Sequence, residues 1–259
     1  MIETNEPKIF ILPDPVTLGQ ASGEAASISI KQAINEKGKA NLILATGTSQ
    51  FETLNRLIAE PAIDWSKVTL FHLDEYIDLP ITSNASFRKY LKERFIDKVP
   101  PLHAVYLING EVDPAGECSR LGALINQHPI DLALVGIGEN GHLAFNDPPA
   151  DFETPEPYIV VKLDEACRKQ QYNEGWFDDM ADVPTRAISM SIHQIMKSKQ
   201  IICSVPDSRK APAVRNCLEE PVSNLIPASI LRKHKQCSFY LDKNAAEMLS
   251  DAARSSAIY

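Results

Sequence analysis

Apolar residues along the chain gather in short runs rich in β-branched side chains, separated by stretches in which they recur at helical spacing. The runs predict strands at 8–12, 41–45, 68–73, 104–108, 131–136, 158–163, 187–192, 200–205 and 238–241. Several are apolar without alternation, as a strand is when its sheet is covered on both faces. The intervening stretches predict helices over about 16–36, 50–60, 87–96, 115–127, 165–177, 210–219 and 245–252. Strand and helix alternating in this way imply right-handed crossovers. The expected fold is α/β: a single domain over 1–259 with a mainly parallel open sheet and helices on both faces, Rossmann-like in layout. No Gly-, Ser- or Pro-rich stretch is long enough to act as an interdomain linker, and no internal repeat is visible. Ligands of such sheets bind on the loops beyond the carboxyl ends of the strands.

Composition limits the partners. The 259 residues are 44% hydrophobic and 23% charged, the balance of a globular chain. Lys and Arg number 26 against 34 Asp and Glu, a formal charge of −8, which argues against nucleic acid or an anionic membrane as partner. A small anionic metabolite stays compatible, because it feels a local field. The five cysteines are widely spaced and never form a C-x-x-C pair, which predicts reduced, mostly buried thiols and not a disulfide frame or zinc site. The first eight residues lack the basic-then-apolar order of a signal peptide, and no apolar run approaches the roughly 20 residues needed to span a bilayer. The expectation is a soluble, cytoplasmic protein; a homo-oligomer is compatible with the sequence.

Three strand-to-helix loops carry unusual chemistry. The first, L-A-T-G-T-S at 44–49, brings Thr46, Gly47, Thr48 and Ser49 to the start of a helix. A glycine turn, capping hydroxyls and the positive end of a helix dipole suit a phosphate. Alone, the loop reads equally well as a capped turn, since it lacks the lysine of a P-loop and the spacing of a dinucleotide fingerprint. The second is F-H-L-D-E-Y at 71–76. Strand alternation points Asp74 and Glu75 to opposite sides, so one faces a ligand while the other is free for structural contacts. A carboxylate there is a competent base for a carbon acid beside a carbonyl or imine. The third runs G-I-G-E-N-G-H-L-A-F-N-D-P from Gly136 to Pro148. Its glycines, Gly138 among them, let backbone approach a substrate closely. His142 stands among Asn140, Asn146 and Asp147, the equipment for proton transfer at a sugar oxygen.

These motifs, in this order, resemble the glucosamine-6-phosphate deaminase family, also called glucosamine-6-phosphate isomerase. V-P-T-R-A-I-S-M-S-I at 183–192 and V-P-D-S-R-K-A at 205–211 look like family positions too, and the likeness runs from about residue 42 to 229. The resemblance implies a metal-free, cofactor-free conversion of glucosamine 6-phosphate and water to fructose 6-phosphate and ammonia. By that resemblance Asp74 is the base moving a proton between C2 and C1. His142 opens the sugar ring, assisted from the positions of Asn140 and Asp147. Thr46 to Ser49 and Lys210 take the phosphate, Arg168 is the candidate second cation, and Glu75 and Gly138 complete the substrate-binding set. The chain departs from the family where many members carry Asp in place of Asn140 and most carry Glu in place of Asp147. The reaction class is therefore better specified than the epimer, and galactosamine 6-phosphate is an alternative substrate.

Two further readings compete. A 6-phosphogluconolactonase shares the fold, but its motifs read more like S-D-E-R and G-x-G-x-D-G-H-T-A-S-L-F. Here Tyr76 stands in place of the arginine, and Ala144, Phe145 and Asn146 in place of Ser-Leu-Phe. A non-catalytic sugar-phosphate sensor would have little need of Asp74 and His142 together, and would carry a DNA-binding module ahead of a strand that here begins near residue 8.

Overall fold

The structure, a computed structural model, describes residues 7–258. The leading residues 1–6, on which the absence of a signal peptide is mostly read, lie outside the described residues. The strands are β1 (Lys8–Leu12), β2 (Ala40–Leu44), β3 (Val68–His72), β4 (Asp74–Tyr76), β5 (Ala104–Tyr106), β6 (Leu132–Val135), β7 (Tyr158–Lys162), β8 (Arg186–Met190), β9 (Gln200–Val205) and β10 (Cys237–Asp242). Seven of them form one sheet in the order β1-β10-β9-β6-β2-β3-β5, every neighbouring pair parallel. The other three, in the order β4-β8-β7, make a small antiparallel sheet.

The helices are α1 (Pro15–Lys37), α2 (Phe51–Ile58), α3 (Phe87–Arg94), α4 (Pro114–Ile125), α5 (Glu165–Asn173), α6 (Ile192–Met196), α7 (Ala211–Glu219) and α8 (Asp251–Ser255). Alternation along the strands splits the interior in two. Leu42, Leu44, Leu132, Leu134 and Ile202 face the side covered by Leu18 and Ile30 of α1 and Leu54 and Leu57 of α2. Ile43, Ala133, Val135, Ile201 and Cys203 face the side covered by Leu121 of α4 and Val214 and Cys217 of α7. That is an open α/β sheet with both faces buried.

The small sheet departs from the sequence reading. Segments 158–163 and 187–192 read as strands of the main sheet, yet they pair antiparallel outside it, and Asp74–Tyr76 forms a strand of its own. The burial of β7 shows why: its residues run from buried Tyr158 to exposed Val160 and Lys162, the half-solvated face that an antiparallel sheet tolerates. The helix expected over 245–252 also shifts. Asp242 Oδ1 accepts from Ala245 N at 2.7 Å and turns the chain, and Ser250 then caps α8 by accepting from Ala253 N at 3.3 Å. All five cysteines are unpaired thiols, four of them buried. Among the described residues no helix is long and apolar enough to cross a membrane.

Connections from β2 run to one side of the sheet through β3 and β5, then return to the other side at β6 and continue to β9 and β10. The order reverses between β2 and β6, which places a crevice at their carboxyl ends. The loops read as carrying chemistry lie around it.

Candidate active site

The loops after β2, β3, β6 and β9, closed on one side by the last turn of α5, enclose about 560 Å³ of free space, some of it open to solvent. Thr46, Gly47, Thr48, Ser49, Asp74, Gly138, His142 and Lys210 all line it.

At one end Gly47, with φ 90°, turns the chain into a short 3₁₀ turn, Thr48–Gln50, that leads into α2. A left-handed φ is routine only for glycine. Tyr90 Oη donates to Gly47 O at 2.9 Å, and Gln50 Nε2 donates to Val135 O at 3.2 Å, so the loop is pinned from both sides. Backbone N–H groups at a helix start suit an anion. Lys210 reaches the same end with its side chain only 3% exposed. Burial pulls its ammonium below the ordinary lysine range, while Glu174 and Glu139 pull the other way.

Strand alternation separates the two carboxylates of β4. Glu75 is fully buried, and its carboxylate accepts from the backbone N–H groups of Tyr76, Phe87 and Arg88 and from Ser86 Oγ. Arg88 Nε adds an ion pair at 3.3 Å. Glu75 thus anchors the start of α3 and does not line the cavity, which corrects its expected place among the substrate-binding residues. Asp74 faces the cavity at 6% exposure. Burial, and then the neighbouring Glu75, push its carboxyl up to about 8. A carboxyl so poised exchanges protons near neutral pH.

The third loop is built around His142. A Cβ on Gly138 would lie 2.2 Å from the imidazole ring, so the ring packs on backbone that only glycine leaves open. Asn140 Oδ1 accepts from His142 N at 3.1 Å, and Asn140 Nδ2 donates to Asp147 Oδ1 at 3.0 Å and Asp164 Oδ2 at 3.1 Å. Asp147 Oδ1 lies 3.2 Å from His142 Nδ1. Burial would raise the Asp147 carboxyl, but the hydrogen bond and charge of His142 outweigh it and hold the group below its ordinary value. Asn140 and Asp147 stand behind the imidazole, outside the cavity lining. Ala144, in the left-handed region at φ 53°, lines the cavity, and Phe145 N donates to Ser189 Oγ at 3.1 Å to hold that turn.

Arg168 is not at the site. Its guanidinium donates to Val183 O at 2.8 Å and Met180 O at 3.0 Å, tying α5 to the segment behind it. The second cation expected from the sequence is therefore absent from the cavity lining. The structure instead adds Gln50, Gln170, Gln171 and Glu174. The last three come from α5 and the residue that ends it, where the sequence marks a helix and nothing of its docking. Among the described residues His142, Asp147 and Cys167 could share a metal ion, each offering one ligand atom within 4.8 Å of the others. Burial holds the Cys167 thiol well above its ordinary value, so it is a thiol and not a thiolate.

Residues 13–239 match the family described as glucosamine-6-phosphate isomerases/6-phosphogluconolactonase. A glucosamine-6-phosphate deaminase of Bacillus cytotoxicus is 36% identical over 230 residues, covering 88% of this chain and 86% of that one. One of Bacillus thuringiensis is 34% identical over 245 residues, covering 94% and 90%. Among solved structures, a monomeric glucosamine-6-phosphate deaminase superposes with a TM-score of 0.86 at 32% identity, covering 93% of this chain and 99% of that one. A 6-phosphogluconolactonase of Thermotoga maritima reaches 0.77 at 16% identity, covering 92% and 100%, a likeness of fold alone.

Proposed function

The chain belongs to the glucosamine-6-phosphate isomerase/6-phosphogluconolactonase family, and from that premise we propose that it is a glucosamine-6-phosphate deaminase, working as one domain in the cytoplasm. One observation carries this reading. Asp74 and His142, supplied by different strand ends, open onto a single cavity whose far end holds Lys210 and the Thr46–Ser49 loop.

The C2 proton of the amino sugar becomes acidic only when ring opening exposes the C1 aldehyde. Two groups are therefore needed. His142 takes the proton of the anomeric hydroxyl and returns one to the ring oxygen, while Asp147 steadies its Nδ1 and stabilises the imidazolium that forms in passing. Asn140, an amide, cannot share that proton and serves to orient the pair. Asp74 then removes the C2 proton and delivers it to C1, which turns the amine at C2 into an imine. Water adds to the imine, the carbinolamine expels ammonia, and the ketose phosphate remains. Each such proton transfer contributes about 10²–10⁴-fold in rate. Lys210 and the loop amides hold the phosphate, so the reacting carbons stay between the two groups.

The test is ammonia release from glucosamine 6-phosphate compared with galactosamine 6-phosphate. Preference for the first supports the reading, preference for the second moves the assignment to the epimer, and release from neither removes it.

A further inference from the structure

The phosphate end carries a carboxylate that the proposed function does not use. Glu174 follows the last residue of α5, where the negative end of the helix dipole disfavours an anion. Its side chain is nevertheless 5% exposed, lines the cavity, and stands 3.9 Å from Lys210 Nζ. It is fixed there: Gln170 Nε2 donates to Oε1 at 2.8 Å and Trp176 Nε1 to Oε2 at 3.2 Å. Gln170 is held in turn, accepting from Glu139 N at 2.8 Å.

The charges around it are unfavourable for a dianion. Arg209, the other nearby cation, lies 2.9 Å from Asp207 and 3.6 Å from Glu139. Lys210 and Arg209 thus face Glu174, Glu139 and Asp207, two positive charges against three negative. Two phenols stand on this side, Tyr76 Oη donating to Gln171 Oε1 at 3.0 Å and Tyr90 Oη to Gly47 O at 2.9 Å, and burial keeps both neutral. A phosphate ester that has lost both protons would add two more negative charges. A carboxylate is an acceptor only, and it can meet an anionic oxygen well only if that oxygen carries a proton.

We propose that Glu174 makes this end of the cavity selective for a protonated phosphate, accepting a hydrogen bond from its P–OH while Lys210 and the loop amides take the other oxygens. This rests on the sugar-phosphate reading above and adds a rejection rule to it. Phosphate monoesters have a second pKa of about 6 and regain one proton easily. Sulfate keeps the same shape and has no proton to give at that pH. Against sulfate, Glu174 is a repelling acceptor with nothing to accept, the kind of element that produces specificity by penalising the wrong ligand.

The experiment is competition by inorganic phosphate and by sulfate, at pH 6.5, against ammonia release from glucosamine 6-phosphate and against calorimetric binding of fructose 6-phosphate. The wild-type chain is expected to bind phosphate at least tenfold more tightly than sulfate. Its affinity for fructose 6-phosphate should fall about tenfold for each pH unit above 7. In Glu174→Gln the phosphate–sulfate gap should shrink to about threefold or less and KM at pH 8 should drop. Equal competition by the two anions in the wild type, or a gap that survives the substitution, overturns the proposal while leaving the deaminase reading intact. Failure of the wild type both to release ammonia and to bind fructose 6-phosphate overturns both. The wild-type arms stand even if the variant does not fold.

Discussion

At the scale of single residues, the two neighbours Asp74 and Glu75 have opposite fates because one strand turns them to opposite faces. Asp74 is uncharged at neutral pH for most of the population, since burial and Glu75 push it up to about 8. As the base it must be ionised, so kcat at saturating substrate should climb with pH below about 8 and level off above. Asp74→Asn should abolish turnover and that rise while still binding fructose 6-phosphate; activity within a few-fold of wild type would remove Asp74 from the mechanism. The same burial has a cost in stability. The folded value lies above the ordinary 3.8, so between those two pH values the native chain keeps a proton that the unfolded chain has released. Stability from this group is full below about 3.8 and is lost as pH rises through about 8. In denaturant titrations at pH 9, Asp74→Asn should therefore be more stable than wild type by on the order of a few kcal/mol. His142→Gln should fail on the cyclic sugar yet keep solvent-proton exchange into fructose 6-phosphate, whose ketose can open unaided; equal loss in both assays would assign His142 to enolisation. Residue types make His142 legible from the chain, and only the family resemblance selects Asp74 over its neighbour. The place of Glu75 is not legible, because alternation says that the two carboxylates diverge and not which one meets the core. Nor is that of Arg168, because a helix pattern says nothing of which carbonyls its guanidinium will find.

At the scale of elements, close approach matters more than propensity. Helices α1 and α2 meet where a Cβ on Gly19 would lie 2.2 Å from Glu52 Cβ and 2.8 Å from its Cα. Beside that contact a chain of hydroxyls, Ser22 to Thr53 at 2.7 Å and Thr53 to Ser204 at 3.2 Å, joins both helices to β9. Gly19→Ala must push α2, and with it the Thr46–Gln50 loop, off the sheet. Overpacking of this kind costs roughly 1–3 kcal/mol, and thermal melts should show the loss together with a raised KM; an unchanged melting temperature would mean that the helices separate freely. The nine expected strands all appear within a residue or two, because short apolar runs bounded by polar and turn residues leave little else to form. Strand β4 is not legible in the sequence, being three residues long and dependent on β8, which arrives more than a hundred positions later.

At the scale of the whole molecule, the surface charge bears on control. Some members that this chain resembles are activated by N-acetylglucosamine 6-phosphate through basic residues just after the F-N-[E/D]-P motif. Residues 148–161 contain no Lys or Arg but do contain Asp151, Glu153 and Glu156. Like charges at short range repel even when screened. Substrate saturation should be hyperbolic and insensitive to the acetylated sugar phosphate; a sigmoidal curve, or a leftward shift on adding it, would point to a basic patch elsewhere. The small antiparallel sheet bears on how activity is lost. Ser189 of β8 pairs with Asp74 across the ladder, and its hydroxyl accepts from Phe145 N and, at 3.3 Å, from Asn146 Nδ2. The base and the loop of the ring-opening imidazole therefore hang on one strand position. A transient detachment of β8 would dismantle both at once while the seven-stranded sheet stays closed. Amide hydrogens of Ser189 and Met190 should then exchange with solvent on the same timescale as heat inactivation, ahead of the exchange of β2 and β6, so that the enzyme ages by losing its side sheet before it unfolds.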